Sequence, residues 1–351
     1  MDSNLFHAEE MVSQLQIFLF SQSLEVGIVF HYSIRLIAGG NTMAVSERVA
    51  GVIFLSQTVV GVLGNSFLFH HYLLFTFSGN RLRSRYWIVM HLAIANIITL
   101  LCKGVPQTMA SFGIKDFLND FGCKGLFYFH RVGRGVSIGS TTFLSLFQVI
   151  IISPLESRWA ELKERRQNHI GSSVYLSWIL YMLASSVSLV YVGAKSIKNN
   201  TANLKDMGYC AATTDKTSDT LYVALFSAPD FLFMGLMVWA STVMVLILHR
   251  HKQRMQHMSR AKASSRSSPE SKAIQTILTL VSTSVFFHTL SCIFIVCITL
   301  SSHYRWLLVN GFVLLTGCFP TVSPFLILRS ESTVFRGLCF ISRKNEGGIS
   351  S

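Results

Sequence analysis

Seven stretches of about 22 to 30 predominantly apolar residues run through this chain of 351 residues. A helix rises about 1.5 Å per residue, so each stretch is long enough to cross the hydrocarbon layer of a bilayer, which is about 30 Å thick. The sequence therefore predicts an all-α membrane protein with a seven-transmembrane helix bundle. The predicted spans cover residues 49–75, 87–109, 123–152, 170–192, 221–248, 274–300 and 307–328.

Lys and Arg are concentrated in alternate connections between these spans. The first, third and fifth connections and the segment after the last span hold 18 of them, whereas the opposite side, with the N-terminal segment, holds nine. The positive-inside rule assigns the richer side to the cytoplasm, so we expect the N-terminus outside and the C-terminus inside. The predicted organisation is an extracellular segment over 1–46, the helix bundle over 47–328, and a cytoplasmic tail over 329–351 with a short interfacial helix.

The net charge of +13 follows from this placement. A basic face beside an anionic leaflet explains the charge, so membrane lipids are the expected partners and nucleic acid is not. The sequence has no HExxH, GxSxG or phosphate-loop motif, and we expect no enzyme. It has no CxxC motif or Cys/His cluster either, so we expect no metal or cofactor.

Two of the seven cysteines lie on the predicted outer, oxidising side. Cys123 begins the third span and Cys210 lies in the loop before the fifth, so we predict a disulfide between them; two free thiols are the alternative. The predicted outer side also carries one glycosylation sequon, which begins at Asn199. We therefore expect Asn199 to be glycosylated.

Ionisable residues inside the spans are costly unless they meet a partner or a wet cavity, so they point to function. Arg134 and Asp230 come to depths of about 17 and 14 Å from the outer side, and His130 shares a helix face with Arg134. One interpretation is an outward-opening ligand pocket with a basic wall; the other is an internal Arg134–Asp230 ion pair without a ligand role. The two are compatible. The candidate pocket residues are Lys103, His130, Arg131, Arg134 and Asp230.

A second polar row lies deeper, with Asn65 in the first span, Asn96 in the second, and Ser323 with Pro324 in the seventh. Amide side chains and a carbonyl freed by proline can form hydrogen bonds between helices, and proline also provides a hinge. We predict a packing or switching role for this row. The glycines of the third span fail the dinucleotide fingerprint, and we expect them to allow close helix packing.

Short blocks of this sequence resemble a known family. Gly64 with Asn65, Trp178 and the two outer cysteines are similar to G-protein-coupled receptors. More specific blocks, in order between about Met43 and Phe340, resemble the vomeronasal type 1 receptors. They are GVPQTMA at 104–110, HRVGRGVS at 130–137, SP at 153–154 with SRWAELK at 157–163, GYC at 208–210, HRHKQ at 249–253 and CFPTVSPF at 318–325.

The resemblance implies a plasma-membrane chemosensory receptor that detects pheromone-like small molecules and activates an inhibitory-class heterotrimeric G protein. We expect the ligand to bind among spans three, five, six and seven, and the G protein to meet the inner ends of spans three, five and six, with Arg158, Lys163 and Arg250. Asn96 stands where rhodopsin-like receptors have an aspartate, so details of the switch differ. A bitter-taste-like receptor is one alternative; a channel or transporter is another, with the intramembrane charges forming its path.

Overall fold

The computed structural model describes residues 43–77, 83–114, 117–152, 173–186, 189, 192–193, 204–206, 209–213, 216–258, 269–300 and 306–346. These residues form seven helices and three short strands. In chain order the elements are α1 (Met43–Phe77), α2 (Arg83–Ser111), α3 (Asp120–Ile152), α4 (Ser173–Ser185), β1 (Val192–Gly193), β2 (Leu204–Asp206), β3 (Ala211–Thr213), α5 (Lys216–Met258), α6 (Pro269–Leu300) and α7 (Trp306–Glu346).

Six of these helices are long and apolar enough to cross a membrane, which agrees with the predicted all-α bundle. The fourth predicted span is described only as the shorter apolar helix α4, because residues 153–172 lie outside the described part of the chain. Its predicted end at Val192 is wrong, since Val192 begins strand β1. Hydropathy alone cannot separate the end of an apolar helix from a short apolar strand.

Helix α3 lies at the centre of the bundle and contacts α2, α5 and α6. About two thirds of its most apolar window, 67%, is buried, the highest share among the six long helices. Its buried residues lie on every side of the helix and include many Gly, Ser and Thr residues. Small side chains allow neighbouring helices to approach on all sides, so this composition suits a central position.

The glycines of α3 bring neighbouring helices close to its backbone. A methyl group added at Gly139 would lie 2.9 Å from Cβ of Ser177 on α4, and one at Gly133 would lie 2.9 Å from the Ala95 carbonyl on α2. At Gly135 the methyl group would lie 2.0 Å from Cδ1 of Tyr181. The packing role predicted for these glycines is therefore confirmed.

A three-stranded antiparallel sheet, ordered β1-β3-β2, caps one end of the bundle, which we call the sheet end. Strand β1 contacts α3, and β3 follows directly after Cys210. Cys210 is bonded to Cys123 in the first turn of α3, with the Cα atoms 5.8 Å apart. The predicted disulfide is confirmed, and it ties the sheet to the central helix.

Helix α7 continues without a break to Glu346. The sequence predicts a short helix in the tail, and no Pro or Gly stands between Pro324 and Gly337 to end the preceding helix. Residues 329–346 are therefore helical and continuous with the seventh span. The proposed division at 328 and the interfacial position of the tail remain predictions.

Candidate functional site

The two buried charges of α3 and α5 contact each other directly. Nη1 of Arg134 lies 2.8 Å from Oδ2 of Asp230, and the two side chains are only 5% and 4% exposed. Each helix contributes its residue from the middle of the bundle, as the depths expected from the sequence require. A buried pair at this distance neutralises two charges that would each be costly alone.

Two further side chains complete this cluster, and neither was predicted from the sequence. The hydroxyl of Tyr181 on α4 donates to Oδ1 of Asp230 at 3.1 Å. Nη2 of Arg134 lies 3.7 Å from Sγ of Cys292 on α6. We call Arg134, Asp230, Tyr181 and Cys292 the central cluster; it joins α3, α4, α5 and α6.

One sequence feature, Gly135, indicates a close neighbour where Tyr181 joins the central cluster. Gly135 removes the side chain that would otherwise collide with the Tyr181 ring, so the glycine permits Tyr181 to reach Asp230. A small residue beside a buried charge therefore indicates a close neighbour, although not which residue it is. Cys292 has no such signal, because cysteine is an ordinary residue in an apolar span.

Three basic residues lie around the central cluster. His130 is buried and lies one turn closer to the sheet end than Arg134, and its Nε2 has no partner. Arg131 is half-buried beside it. His288, which was not predicted from the sequence, is one turn from Cys292 on α6, and its buried Nε2 also lacks a partner.

Lys103 lies apart from the central cluster. Its Nζ donates to the Tyr209 hydroxyl at 3.0 Å and lies 4.8 Å from the centre of the Phe127 ring. Phe127 is seven residues before Arg134 on α3, so Lys103 lies about 10 Å closer to the sheet end. The five predicted pocket residues are thus divided into a deep group and an outer cation.

The second polar row forms a network among four helices. The Asn96 amide donates to Oδ1 of Asn65 at 3.0 Å and to Oγ of Ser323 at 2.9 Å, and Oγ of Ser137 donates to Oδ1 of Asn96 at 2.7 Å. Asn65 in turn donates to the Pro320 carbonyl at 2.8 Å. The network connects α1, α2, α3 and α7, and Ser137 is its unpredicted member.

Pro324 explains why that carbonyl is available. A proline has no N–H, so the carbonyl four residues earlier in the helix has no intrahelical donor. That residue is Pro320, whose carbonyl Asn65 uses instead. Pro324 itself is buried and would lie 3.1 Å from a methyl group added at Gly64.

The remaining predicted sites lie mostly outside the described residues. Arg158, Lys163 and Asn199 are among them, so the G-protein contacts and the glycosylation stay predictions. Arg250 is described and is exposed near the end of α5, away from the sheet end. Among the described residues, no group of three or more His, Cys, Asp or Glu side chains is placed to hold a metal ion.

The fold and this polar interior define a multi-pass, seven-helix membrane protein whose central helices meet around buried charges. A family model described as the vomeronasal organ pheromone receptor family matches residues 49–340. The chain belongs to the vomeronasal type-1 receptor family. It is therefore a chemosensory G-protein-coupled receptor and not an enzyme.

Individual relatives cover most of the chain. Vomeronasal type-1 receptor 4 of Homo sapiens is 52% identical over 296 residues, which are 84% of this chain and 98% of that protein. Vomeronasal type-1 receptor 3 of Homo sapiens is 46% identical over 296 residues, covering 84% and 94%. Olfactory receptor class A-like protein 1 of Danio rerio is 30% identical over 292 residues, covering 82% and 91%.

Proposed function

We propose that this receptor detects pheromone-like small molecules at the plasma membrane and activates an inhibitory-class heterotrimeric G protein. The matching family carries the word pheromone in its description. The excess of Lys and Arg in alternate connections supports an extracellular sheet end and a cytoplasmic opposite end. In this orientation the ligand enters at the sheet end, and Arg250 lies on the G-protein side together with Arg158 and Lys163.

The observation that carries the proposal is a set of buried polar atoms around the central cluster that lack partners. They are Nε of Arg134, Nε2 of His130 and Nε2 of His288. A buried polar atom without a hydrogen bond costs about 1–3 kcal/mol, so several in one region require an explanation. A ligand among α3, α5 and α6 supplies one, with Arg134 and Asp230 as the polar floor of its pocket and His130 and Arg131 above them.

The proposed mechanism is a shift between two arrangements of the helices. Arg134 contacts α5 through Asp230 and α6 through Cys292, so a ligand on Arg134 acts on both helices at once. A ligand changes the equilibrium only by its difference in affinity for the two arrangements. Binding that favours separation of the cytoplasmic ends of α5 and α6 exposes the surface that the G protein contacts.

The test is dose-responsive signalling in a cell line that expresses the chain. We expect a small-molecule panel to lower cyclic AMP in receptor-expressing cells only, and a toxin that inactivates inhibitory-class G proteins to abolish the response. Cells expressing Arg250→Ala should show a weaker response at equal surface expression. An evoked current that persists after the toxin would instead favour a channel. Silence of the surface-expressed receptor across the panel would count against the proposal.

A further inference from the structure

Lys103 is a buried cation with no acidic partner among the residues that the structure describes. It is 7% exposed, and its contacts are the Tyr209 hydroxyl at 3.0 Å and the ring faces of Phe127 and Tyr209, at 4.8 and 5.6 Å from the ring centres. No described carboxylate lies within ion-pair distance of its Nζ. Arg134 differs in this respect because Asp230 balances its charge.

Two more buried side chains near Lys103 each have one polar atom without a hydrogen bond. Gln107 is one turn closer to the sheet end on the same face of α2; its amide donates to Asn310 at 2.9 Å, but its Oε1 has no partner. His130 is three residues beyond Phe127 on α3, and its Nε2 is likewise unpartnered. Gln107 and His130 are only 7% and 8% exposed, so bulk water does not readily supply the missing hydrogen bonds.

We propose that Lys103 is the binding site for the anionic end of the ligand, and that the ligand is an organic monoanion with an apolar or aromatic body. An ammonium has three donors, of which Tyr209 takes one, so two remain for a carboxylate or a sulfate. The Phe127 and Tyr209 rings contact the part of the body next to the anion. This inference rests on the proposed function and names the ligand chemistry of the same receptor.

The charge balance distinguishes this site from the deep pocket floor. The central cluster is neutral as a pair and offers hydrogen bonds, whereas Lys103 offers an uncompensated positive charge. The two sites are about 10 Å apart along α3, so substitutions at one leave the contacts of the other in place. A ligand that spans both has its anion toward the sheet end and its neutral acceptor deeper.

A purely structural role for Lys103 makes a different prediction. In that case Lys103 only holds Tyr209, and through it the disulfide-linked Cys210, against α2. Tyr209→Phe then changes the anion preference as much as Lys103→Met does, because either substitution removes the hydrogen bond between the two side chains. If Lys103 binds an anion, Tyr209→Phe retains the anion preference and only Lys103→Met removes it.

The experiment uses the full chain, purified in nanodiscs of zwitterionic lipid. Its thermal unfolding midpoint is measured with ω-phenylalkanoic acids of increasing chain length and with the alcohols of the same skeletons. We expect acids to raise the midpoint above their matched alcohols in the parent. The apparent affinity for acids should fall at least about tenfold in Lys103→Met, be retained in Lys103→Arg and Tyr209→Phe, and stay unchanged for alcohols in all variants.

Three outcomes overturn the anion site: acids that never exceed their alcohols in the parent, an acid preference that survives in Lys103→Met, or its complete loss in Tyr209→Phe. The first needs no variant, so poor folding of Lys103→Met does not leave the proposal untested. Nanodiscs with an anionic phospholipid distinguish the source of the anion. Stabilisation by that lipid alone, lost in Lys103→Met, assigns the site to a lipid headgroup.

Signalling separates this inference from the proposed function. Acids that stabilise the purified parent through Lys103, without any G-protein response in cells, contradict the proposed function and leave the anion site standing. Neutral compounds that signal equally through the parent and Lys103→Met, with no acid effect on the midpoint, contradict the anion site and leave the proposed function standing.

Discussion

Asp230 accepts hydrogen bonds from two different helices, and its two carboxylate oxygens are both used. Arg134 takes Oδ2 and Tyr181 takes Oδ1. Removal of one partner from a buried pair leaves an uncompensated charge and typically costs about 3–5 kcal/mol. The pair therefore contributes to the stability of the bundle whether or not a ligand uses it.

The first prediction concerns this pair. Arg134→Ala and Asp230→Ala should each abolish the response and strongly reduce surface expression, because each leaves one buried charge alone. The reversed pair, Arg134→Asp with Asp230→Arg, should restore surface expression with altered ligand preference. Surface expression is measured by antibody labelling of intact cells, and the response by cyclic AMP.

One result would contradict both roles of the Arg134–Asp230 pair. If both alanine variants reach the surface and signal like the parent across acidic and neutral ligands, the charges have neither a structural nor a binding role. The pocket then lies elsewhere in the bundle.

The second prediction isolates the Tyr181 hydroxyl. Tyr181→Phe keeps the ring over Gly135 but removes the donor to Asp230, and a hydrogen bond to a charged group contributes about 1.5–3 kcal/mol. The matched control is Tyr128→Phe, which removes an exposed hydroxyl that donates to the Met182 carbonyl at 3.3 Å. The thermal unfolding midpoint of purified protein should fall clearly for Tyr181→Phe and hardly change for Tyr128→Phe; equal shifts would contradict the role assigned to Tyr181.

The third prediction concerns the glycines of α3, which allow neighbouring helices to pack close to its backbone. Gly135→Ala should destabilise the receptor by about 1–3 kcal/mol, because the added methyl group would lie 2.0 Å from Tyr181. Gly125 lies in the same helix with nothing within 4 Å of its added Cβ. Gly125→Ala should therefore be neutral or stabilising by up to about 1 kcal/mol. Unfolding midpoints of the two variants decide the matter, and a harmless Gly135→Ala would refute the close packing of α3 and α4.

The elements differ in how far the sequence could predict them. Apolar length identifies the long helices, since nothing else satisfies the backbone in lipid. The end of α4 and the strand at Val192 are not predicted, because a short apolar run fits both helix and strand. The sequence predicts a short helix in the tail but not its continuity with α7, since a stretch without a breaker residue shows no boundary to recognise.

The same limit applies to the polar contacts. The pairing of Arg134 with Asp230 could be predicted because the rise per residue of a helix gives both residues a similar depth in the membrane. The contact of Tyr181 with Asp230 could not, since it depends on the rotation of α4 against α3, which an apolar pattern on a lipid-facing helix leaves undefined. The sequence also does not separate Lys103 from the deeper charges. Its depth relative to Arg134 differs by about two helical turns, and this difference is known only once its contact with Phe127 on α3 is known.

For the whole molecule, the disulfide fixes the sheet to the central helix, and this is the fourth prediction. Cys210→Ser should reduce stability by about 2–4 kcal/mol and cut surface delivery, because the bond joins residues 87 positions apart in the sequence and closes the loop between α3 and β3. Cys297→Ser is the control, since Cys297 is a free, exposed cysteine on α6. Normal surface expression and ligand response of the Cys210→Ser protein would contradict the role given to the disulfide.

The orientation of the whole bundle gives the last prediction. Asn199 falls in the sequence between β1 and β2, and both strands belong to the sheet end, which carries the disulfide. The 18-to-nine imbalance of Lys and Arg places that end outside. Asn199 should therefore carry a glycan, seen as a mobility shift on glycosidase treatment that is absent in Asn199→Gln. A tag inserted beside Asn199 should be labelled on intact cells. Labelling only after permeabilisation would show the opposite topology, in which a ligand would reach Lys103 and Arg134 from the cytoplasmic side.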